Sequence, residues 1–257
     1  MSIIRKELRK IFLDVVGPFV KPANGINILN GHMIARESPH VEVFLSQLTQ
    51  LKRVATFIRI EEAIRLISNR QMVNDVLVAF SFDDGFEECA TMIAPALEQF
   101  KTNALFFINP NFVDGDEFYI KNFTENVVLT PGKKPMRWND IIDLHQKGHL
   151  IGAHTMDHYL INSDNLNELT YQIVECKKVI ENHIKAPCDY FAIPFGKLQD
   201  ANEKSIQLAL NHYKYVFSQS DYKHYFSFNG QIINRRHFEP FWPVNHVTYF
   251  LSHMKKY

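Results

Sequence analysis

The stretch VLVAFSFDDGFEEC, residues 76–89, places an apolar run directly before two adjacent carboxylates and a glycine. Its first seven residues are aliphatic, aromatic or small, which predicts a buried strand over 76–82. Asp83 and Asp84 then stand where that strand ends. Two carboxylates this close disfavour each other's ionisation unless a cation or a proton comes between them. The pair therefore raises the question of what separates the two charges.

Similar apolar runs recur along the chain, and segments with a helical period separate most of them. The further predicted strands cover 27–31, 53–58, 103–109, 149–154, 189–195, 213–219 and 231–238. The predicted helices cover 40–52, 61–69, 86–100, 138–147, 165–183, 200–212 and 243–255. This alternation predicts βα units around a parallel sheet. Residues 110–137 show no clear period and are predicted to form a loop over a site.

The composition bounds the class of protein. The chain has 257 residues, 46% of them hydrophobic, and a formal net charge of zero. We expect one domain over 1–257 with an N-terminal helical extension over about 1–25. A neutral chain lacks the basic surface that binds nucleic acid, so no nucleic-acid partner is expected. The sequence does not indicate an oligomeric state.

Signals for export and for membrane insertion are missing from the sequence. The first 25 residues have no uninterrupted apolar core, and no run reaches the roughly 18 apolar residues of a membrane span. The three cysteines are odd in number and lie outside any CxxC spacing, which argues against disulfides and thiolate metal sites. These features predict a cytoplasmic protein. Peripheral contact with a membrane through the amphipathic first helix stays open.

A second stretch that can carry chemistry is GAHTMDHYLI, residues 152–161. If its histidines, His154 and His158, share one helical turn, both imidazoles can reach the same metal ion. Two histidines and one aspartate would leave an open position for water, and the other aspartate could act as general base. The alternative is that Asp84 caps the following helix, that Asp83 is solvated and that the histidines are structural.

The third stretch, FAIPFGK at residues 191–197, ends another predicted strand. Pro194 and Gly196 can hold backbone amides in a turn, with Phe195 at the rim of a pocket. An ordinary connection from strand to loop would have the same composition.

In this order, SFDDG, HTMDH and FAIPFG resemble the motifs of the polysaccharide deacetylases with NodB homology, carbohydrate esterase family 4. The resemblance covers roughly residues 27 to 240. It implies a distorted (β/α) barrel and a divalent metal, usually zinc, with cobalt or nickel as alternatives. The implied ligands are Asp84, His154 and His158, and the implied catalytic base is Asp83. The metal and a backbone N–H would stabilise the oxyanion.

The chain departs from the best-known members of that family. They carry an arginine where Ala192 stands, and a late L-x-H motif that this chain lacks. The chain is similar to a variant branch that has a histidine after an early strand, alanine in the third motif and a late arginine. By that resemblance His32 is the general acid, and Arg235 or Arg236 orients Asp83. His32 can also be a loop histidine with no task, and His40 and His237 are further candidates for the acid.

The sequence thus favours a metal-dependent hydrolase that removes an N-acetyl group from an N-acetylated sugar, within a polysaccharide or glycolipid intermediate. Pro194, Phe195 and Gly196 are the predicted substrate-binding residues. An O-acetyl esterase and a small cyclic-amide hydrolase would use the same site. A catalytically silent carbohydrate-binding protein would retain the fold alone.

Overall fold

The computed structural model of this protein describes residues 3–36 and 40–257. Ten strands lie within these ranges, and the predicted strands account for most of them. The strands are β1 (Gly25–Gly31), β2 (Thr56–Phe57), β3 (Val76–Phe82), β4 (Ala104–Ile108), β5 (Leu150–Ala153), β6 (Tyr190–Ala192), β7 (Tyr215–Ser218), β8 (Phe226–Ser227), β9 (Ile232–Asn234) and β10 (Arg236–His237).

One curled sheet contains all of these strands. Its order is β10, β1, β3, β4, β5, β6, β7, β9, β8, with β2 also paired to β3. Neighbours run parallel except β8 and β9, which form an antiparallel pair. The predicted parallel βα arrangement is therefore present, and the carboxyl ends of the parallel strands gather the loops that follow them.

The segment predicted as one strand over 231–238 forms two strands. β9 pairs with β7, while β10 pairs with β1 at the other end of the strand order. The chain changes neighbours at Arg235, which lies between β9 and β10. This segment therefore connects the two ends of the sheet, and Arg235 occupies the connection.

Helices cover the sheet and connect most of the parallel strands. They are α1 (Ile3–Val16), α2 (Val41–Leu51), α3 (Ile60–Ser68), α4 (Ala94–Gln99), α5 (Pro110–Val113), α6 (Glu117–Asn122), α7 (Trp138–Gln146), α8 (Leu166–Leu169), α9 (Cys176–Ile184), α10 (Glu203–His212) and α11 (Val244–Leu251). Gly148 follows α7 with φ +87°, the left-handed conformation that glycine adopts without strain. The chain can therefore turn there and enter β5 within two residues.

The prediction of a loop over 110–137 is wrong for its first half, which holds α5 and α6. Pro110 begins α5 at a position where its missing N–H is not needed. Asp116 caps α6 by accepting a hydrogen bond from the Tyr119 N–H at 2.7 Å. The rings of Phe112 and Phe123 stack with centroids 4.2 Å apart. Helices this short show no sequence period, so their caps and packing define them.

Buried side chains alternate along the central strands, as expected for a sheet covered on both faces. Val78, Phe80 and Phe82 of β3 belong to the larger hydrophobic cluster, with residues of α2, α4, α7 and α9. Ala79 belongs to a second cluster with Phe107 of β4, Phe217 of β7 and one face of α3. The ends of the central strands are thereby held in place on both sides.

The first helix, α1, packs on α11, where the carboxylate of Asp14 lies 2.7 Å from Nε2 of His246. It also leaves an apolar stripe exposed, formed by Leu8, Ile11, Phe12, Val15 and the following Phe19, although the ring of Phe12 packs partly on Tyr249 of α11. No helix among the described residues is both long and apolar enough to cross a membrane. The prediction of one domain with a helical extension over about 1–25 stays a prediction, and residues 1–2 lie outside the described residues.

Candidate active site

The two aspartates that follow β3 are buried at one end of a cleft of about 720 Å³. Asp84 has φ +72° and Gly85 repeats that value, so the chain turns sharply directly after the strand. A left-handed aspartate costs about 1–3 kcal/mol and persists only where the surroundings hold it. The turn allows two successive carboxylates to line the same cleft.

His154 and His158 follow β5 and reach the same place, although not through the helical turn considered from their spacing. Residues 154–158 form an irregular bend, with φ +64° at Thr155 and +53° at His158. Nε2 of His154 lies 3.7 Å from Oδ1 of Asp84, and Nε2 of His158 lies 3.5 Å from the same oxygen. Ligands about 2.0–2.1 Å from a tetrahedral zinc stand about 3.3 Å from one another. The three donor atoms therefore have nearly the spacing of metal ligands.

Burial shifts the pKa values of these three groups toward their uncharged forms. Burial raises the pKa of Asp84 to about 7. Burial also lowers the pKa of His154 to about 4 and moves that of His158 well below its usual value. Oδ1 of Asp84 is buried with no hydrogen-bond partner. A divalent cation bound between the three residues would satisfy this oxygen and favour the neutral imidazoles, so the residues fit a metal.

A contact behind Nε2 of His154 fixes the orientation of its ring, whereas Nδ1 of His158 is buried without a hydrogen-bond partner. Nδ1 of His154 lies 2.9 Å from the carbonyl oxygen of Ala192, the usual arrangement for a histidine that presents Nε2 to a metal. Ala192, the residue at which the third motif departs from the common pattern, thus contributes its backbone to the site.

Asp83 is held differently, by hydrogen bonds to both of its oxygens. Arg235 donates from Nη1 to Oδ1 at 2.7 Å and from Nη2 to Oδ2 at 2.9 Å, and Asn30 donates to Oδ2 at 2.8 Å. Burial, the largest single effect, would raise the pKa of Asp83, but the charge and hydrogen bonds of Arg235, together with the charges of His154 and His32, outweigh burial and hold that pKa well below its usual range. Asp83 therefore stays ionised and oriented in the cleft.

The two arginines left open by the sequence lie in different surroundings. Arg235 is fully buried, and its guanidinium lies over the ring of Phe107. The guanidinium of Arg236 instead lies 4.4 Å from the ring centroid of Tyr222 and 4.2 Å from that of Phe250. Successive side chains of an extended segment point to opposite sides, so only one of the two can face Asp83.

His32, directly after β1, faces a carboxylate that the sequence reasoning did not select. Its Nδ1 lies 2.8 Å from Oε1 of Glu239, and its backbone N–H donates to Oε2 at 3.3 Å. Burial, the largest single effect, disfavours the imidazolium, but the charge and hydrogen bond of Glu239, together with the charges of Asp84 and Asp83, outweigh burial and raise the pKa of His32 to about 10. Glu239 was visible only as an acidic residue in the late segment INRRHFEPFW. Asn30, also missed, stands out as a polar residue within an apolar strand.

The third motif forms part of the rim of the cleft. Phe195 is 51% exposed, and its ring centroid lies 4.6 Å from that of His158. Phe195 and Gly196 have φ +61° and +86°, and both line the cleft. Pro194 lies buried within this turn and is not among the residues that line the cleft. Trp242 contributes an aromatic side chain elsewhere on the cleft wall.

The sequence motifs of this cleft match a known family model. Residues 70–215, more than half of the chain, match the model described as polysaccharide deacetylase. The chain belongs to the polysaccharide deacetylase family. A peptidoglycan-N-acetylglucosamine deacetylase of Bacillus cereus is 27% identical over 137 residues, which are 53% of this chain and 54% of that protein. The chain spans about half the length of this curated relative.

Two solved structures show the same fold. The deacetylase PplD of Streptococcus pyogenes, in complex with acetate, has a TM-score of 0.68 at 18% identity and covers 92% of this chain and 100% of its own. IcaB from Ammonifex degensii has a TM-score of 0.69 at 18% identity and covers 91% and 99%. The predicted distorted (β/α) barrel is therefore confirmed, and at this identity the likeness concerns the fold.

Proposed function

We propose that this polysaccharide deacetylase family member is a metal-dependent hydrolase that removes an N-acetyl group from an N-acetylated sugar in a polysaccharide or glycolipid. The observation that carries the proposal is the different surroundings of two adjacent carboxylates. Asp84 faces two neutral histidines with an unpartnered oxygen, whereas Asp83 is paired with Arg235. One carboxylate is thus suited to bind a cation and the other to accept a proton.

Asp84, His154 and His158 would hold the ion, which we propose to be zinc, with cobalt or nickel as alternatives. When bound, a divalent ion of this kind polarises a carbonyl group and lowers the pKa of water. Asp83 accepts the proton of the attacking water as general base. Its hydrogen bonds to Arg235 and Asn30 fix the orientation of its carboxylate, so that no reorganisation is needed when the proton moves.

Breaking the carbon–nitrogen bond requires a proton for the departing amine. We assign that proton to His32, which lines the cleft with Asp83 and is held by Glu239. Its raised pKa keeps it protonated at neutral pH, as a proton donor must be. Glu239 acts through His32, and we class it as a positioning residue. Arg235 is likewise a positioning residue, because it acts through Asp83.

The cleft and its aromatic rim favour a saccharide over a small amide. About 720 Å³ exceeds the space that one acetamide group requires, and Phe195 presents a half-exposed ring at its edge. An aromatic ring of this kind can pack on the apolar face of a sugar. The name of the Bacillus cereus relative specifies an N-acetylglucosamine substrate, which supports an N-acetylated hexosamine here.

An acetate-release screen tests the proposal. The purified chain, loaded with one equivalent of zinc, is supplied with N-acetylhexosamine oligomers, O-acetylated oligomers and a cyclic amide. Release from the N-acetyl series alone supports the proposal, and release from another series alone identifies an esterase or a cyclic-amide hydrolase. Saccharide binding without turnover of any substrate identifies a silent homologue and contradicts the proposal.

We also propose that the exposed stripe of α1 contacts an anionic membrane surface. Within Ile3–Val16 the sequence has four basic and two acidic residues. A helix with an apolar face and a net positive charge is typical of segments that lie in the interface of anionic bilayers. The cytoplasmic location stays a prediction from sequence.

A further inference from the structure

A second cluster of metal-ligating groups lies in the wall of the same cleft. It consists of His32, His237 and Glu239, whose donor atoms all lie within 4.8 Å of one another. Oε1 of Glu239 is 2.8 Å from Nδ1 of His32 and 3.7 Å from Nε2 of His237. The ring centroids of the two histidines are 5.4 Å apart. None of these atoms belongs to the Asp84, His154 and His158 set.

We propose that His32, His237 and Glu239 form a second, lower-affinity site for a divalent transition metal, and that occupancy of this site inhibits the hydrolase. The effect on activity rests on the proposed function, because it works through His32 as general acid. The binding itself does not depend on that function.

The ligand set is suited to zinc and to similar ions. Two imidazoles and one glutamate are a set that zinc accepts, with a fourth position left for water. Glu239 is already fixed, because its side chain is 10% exposed and its backbone carbonyl accepts a hydrogen bond from Nε2 of Gln47 at 3.1 Å. The side chains of His32 and His237 are 23% and 41% exposed, so an ion can reach them from solvent.

Occupancy weakens the acid that the reaction needs. The ion takes the lone pair on Nδ1 of His32, and the proton shared between His32 and Glu239 is released to solvent. The N–H that remains on Nε2 then belongs to a neutral imidazole, a far weaker acid than the imidazolium, so the departing amine loses its proton donor. Nδ1 of His32 and Oε1 of Glu239 already contact each other at 2.8 Å, whereas Oδ1 of Asp84 has no hydrogen-bond partner. The second site must give up this contact to bind an ion, so it binds its metal more weakly than the first.

Metal stoichiometry tests the binding without reference to catalysis. Equilibrium dialysis of the full chain against excess zinc, followed by elemental analysis, should give two ions per chain. His237→Ala should give one, and so should His158→Ala, each through loss of a different site. His224→Ala is the matched control, because His224 also pairs with a carboxylate, Asp221, at 2.6 Å but lies outside the cleft. It should retain two ions.

Acetate release measured during a zinc titration tests the proposed inhibition. Acetate release by the unmodified protein should rise up to one equivalent of zinc and then fall, in total by about 10- to 100-fold, within the usual contribution of a general acid. His237→Ala should keep the first phase and lose the inhibition. One ion per unmodified chain, or two in folded His237→Ala, overturns the second site. No acetate release at any zinc level, including one equivalent, with two ions bound at excess zinc, refutes the proposed function and leaves the site standing.

Discussion

Arg235 and Asp83, 152 residues apart in the chain, form a doubly hydrogen-bonded ion pair in the buried part of the cleft. Arg235 lies where the chain passes from β9 to β10, and Asp83 follows β3. The contact therefore joins the connection between the two ends of the sheet to the proposed catalytic base. It links the stability of the barrel to the orientation of Asp83.

Replacing Arg235 should affect both stability and catalysis. Arg235→Met leaves the buried carboxylate of Asp83 without its partner, which typically costs about 3–5 kcal/mol. Arg235→Lys cannot reproduce two parallel hydrogen bonds and should lower kcat by at least about 10-fold in a folded protein. Urea unfolding and acetate release measure the two effects. Arg236→Met is the matched control, and equal losses in both arginine variants would contradict the assigned role.

Replacing the two aspartates should have different effects on zinc binding. Asp83→Asn should lower acetate release by about 10²- to 10⁴-fold while zinc stays bound, because the general base is lost and the ligands remain. Asp84→Asn should lose zinc, because a ligand is replaced by a neutral amide. Elemental analysis after gel filtration gives the metal content of each variant. Loss of zinc from Asp83→Asn would contradict the division between the two residues.

Glu239→Gln should move the alkaline limit of activity. The imidazolium of His32 is the proton donor, so activity persists below its pKa and falls as pH rises through it. With the pKa raised to about 10, that fall is expected near pH 10 in the unmodified protein. Without the carboxylate, burial remains and the fall should move to about pH 6.5 or lower. Profiles of kcat/KM against pH, measured at one equivalent of zinc, show the shift.

An unchanged alkaline limit in folded Glu239→Gln would contradict the assigned donor. A uniform loss of activity at all pH values would indicate a structural role for Glu239 alone.

The exposed stripe of α1 should bind anionic vesicles. Ile11 and Val15 are 57% and 61% exposed, and burying each in the bilayer interface contributes up to about 1.5–3 kcal/mol. The double substitution Ile11→Glu, Val15→Glu should reduce co-sedimentation with phosphatidylglycerol vesicles by at least about 10-fold. Met72→Glu, at a residue 77% exposed, is the control outside this helix. Equal binding to neutral phosphatidylcholine vesicles, or no binding, would contradict an anionic surface.

The local sequence determined most of the fold and the residues of the proposed site formed by Asp84, His154 and His158. Apolar runs ending at Asp83, His154 and Ala192 mark strands, because a buried parallel strand needs continuous apolar residues. Carboxyl ends of parallel strands share one edge, so the motifs after them must meet there. Their order along the chain was sufficient to indicate the family.

Contacts across long sequence separations were decided by the tertiary structure. Arg235 reaches Asp83 because it lies between β9, which pairs with β7, and β10, which pairs with β1. No periodicity in the sequence marks this change of strand partner. Glu239 meets His32 across 207 residues for the same reason. Local patterns record which side chains are buried. Which buried or polar groups meet depends on how the sheet closes, and this depends on the packing of the whole chain.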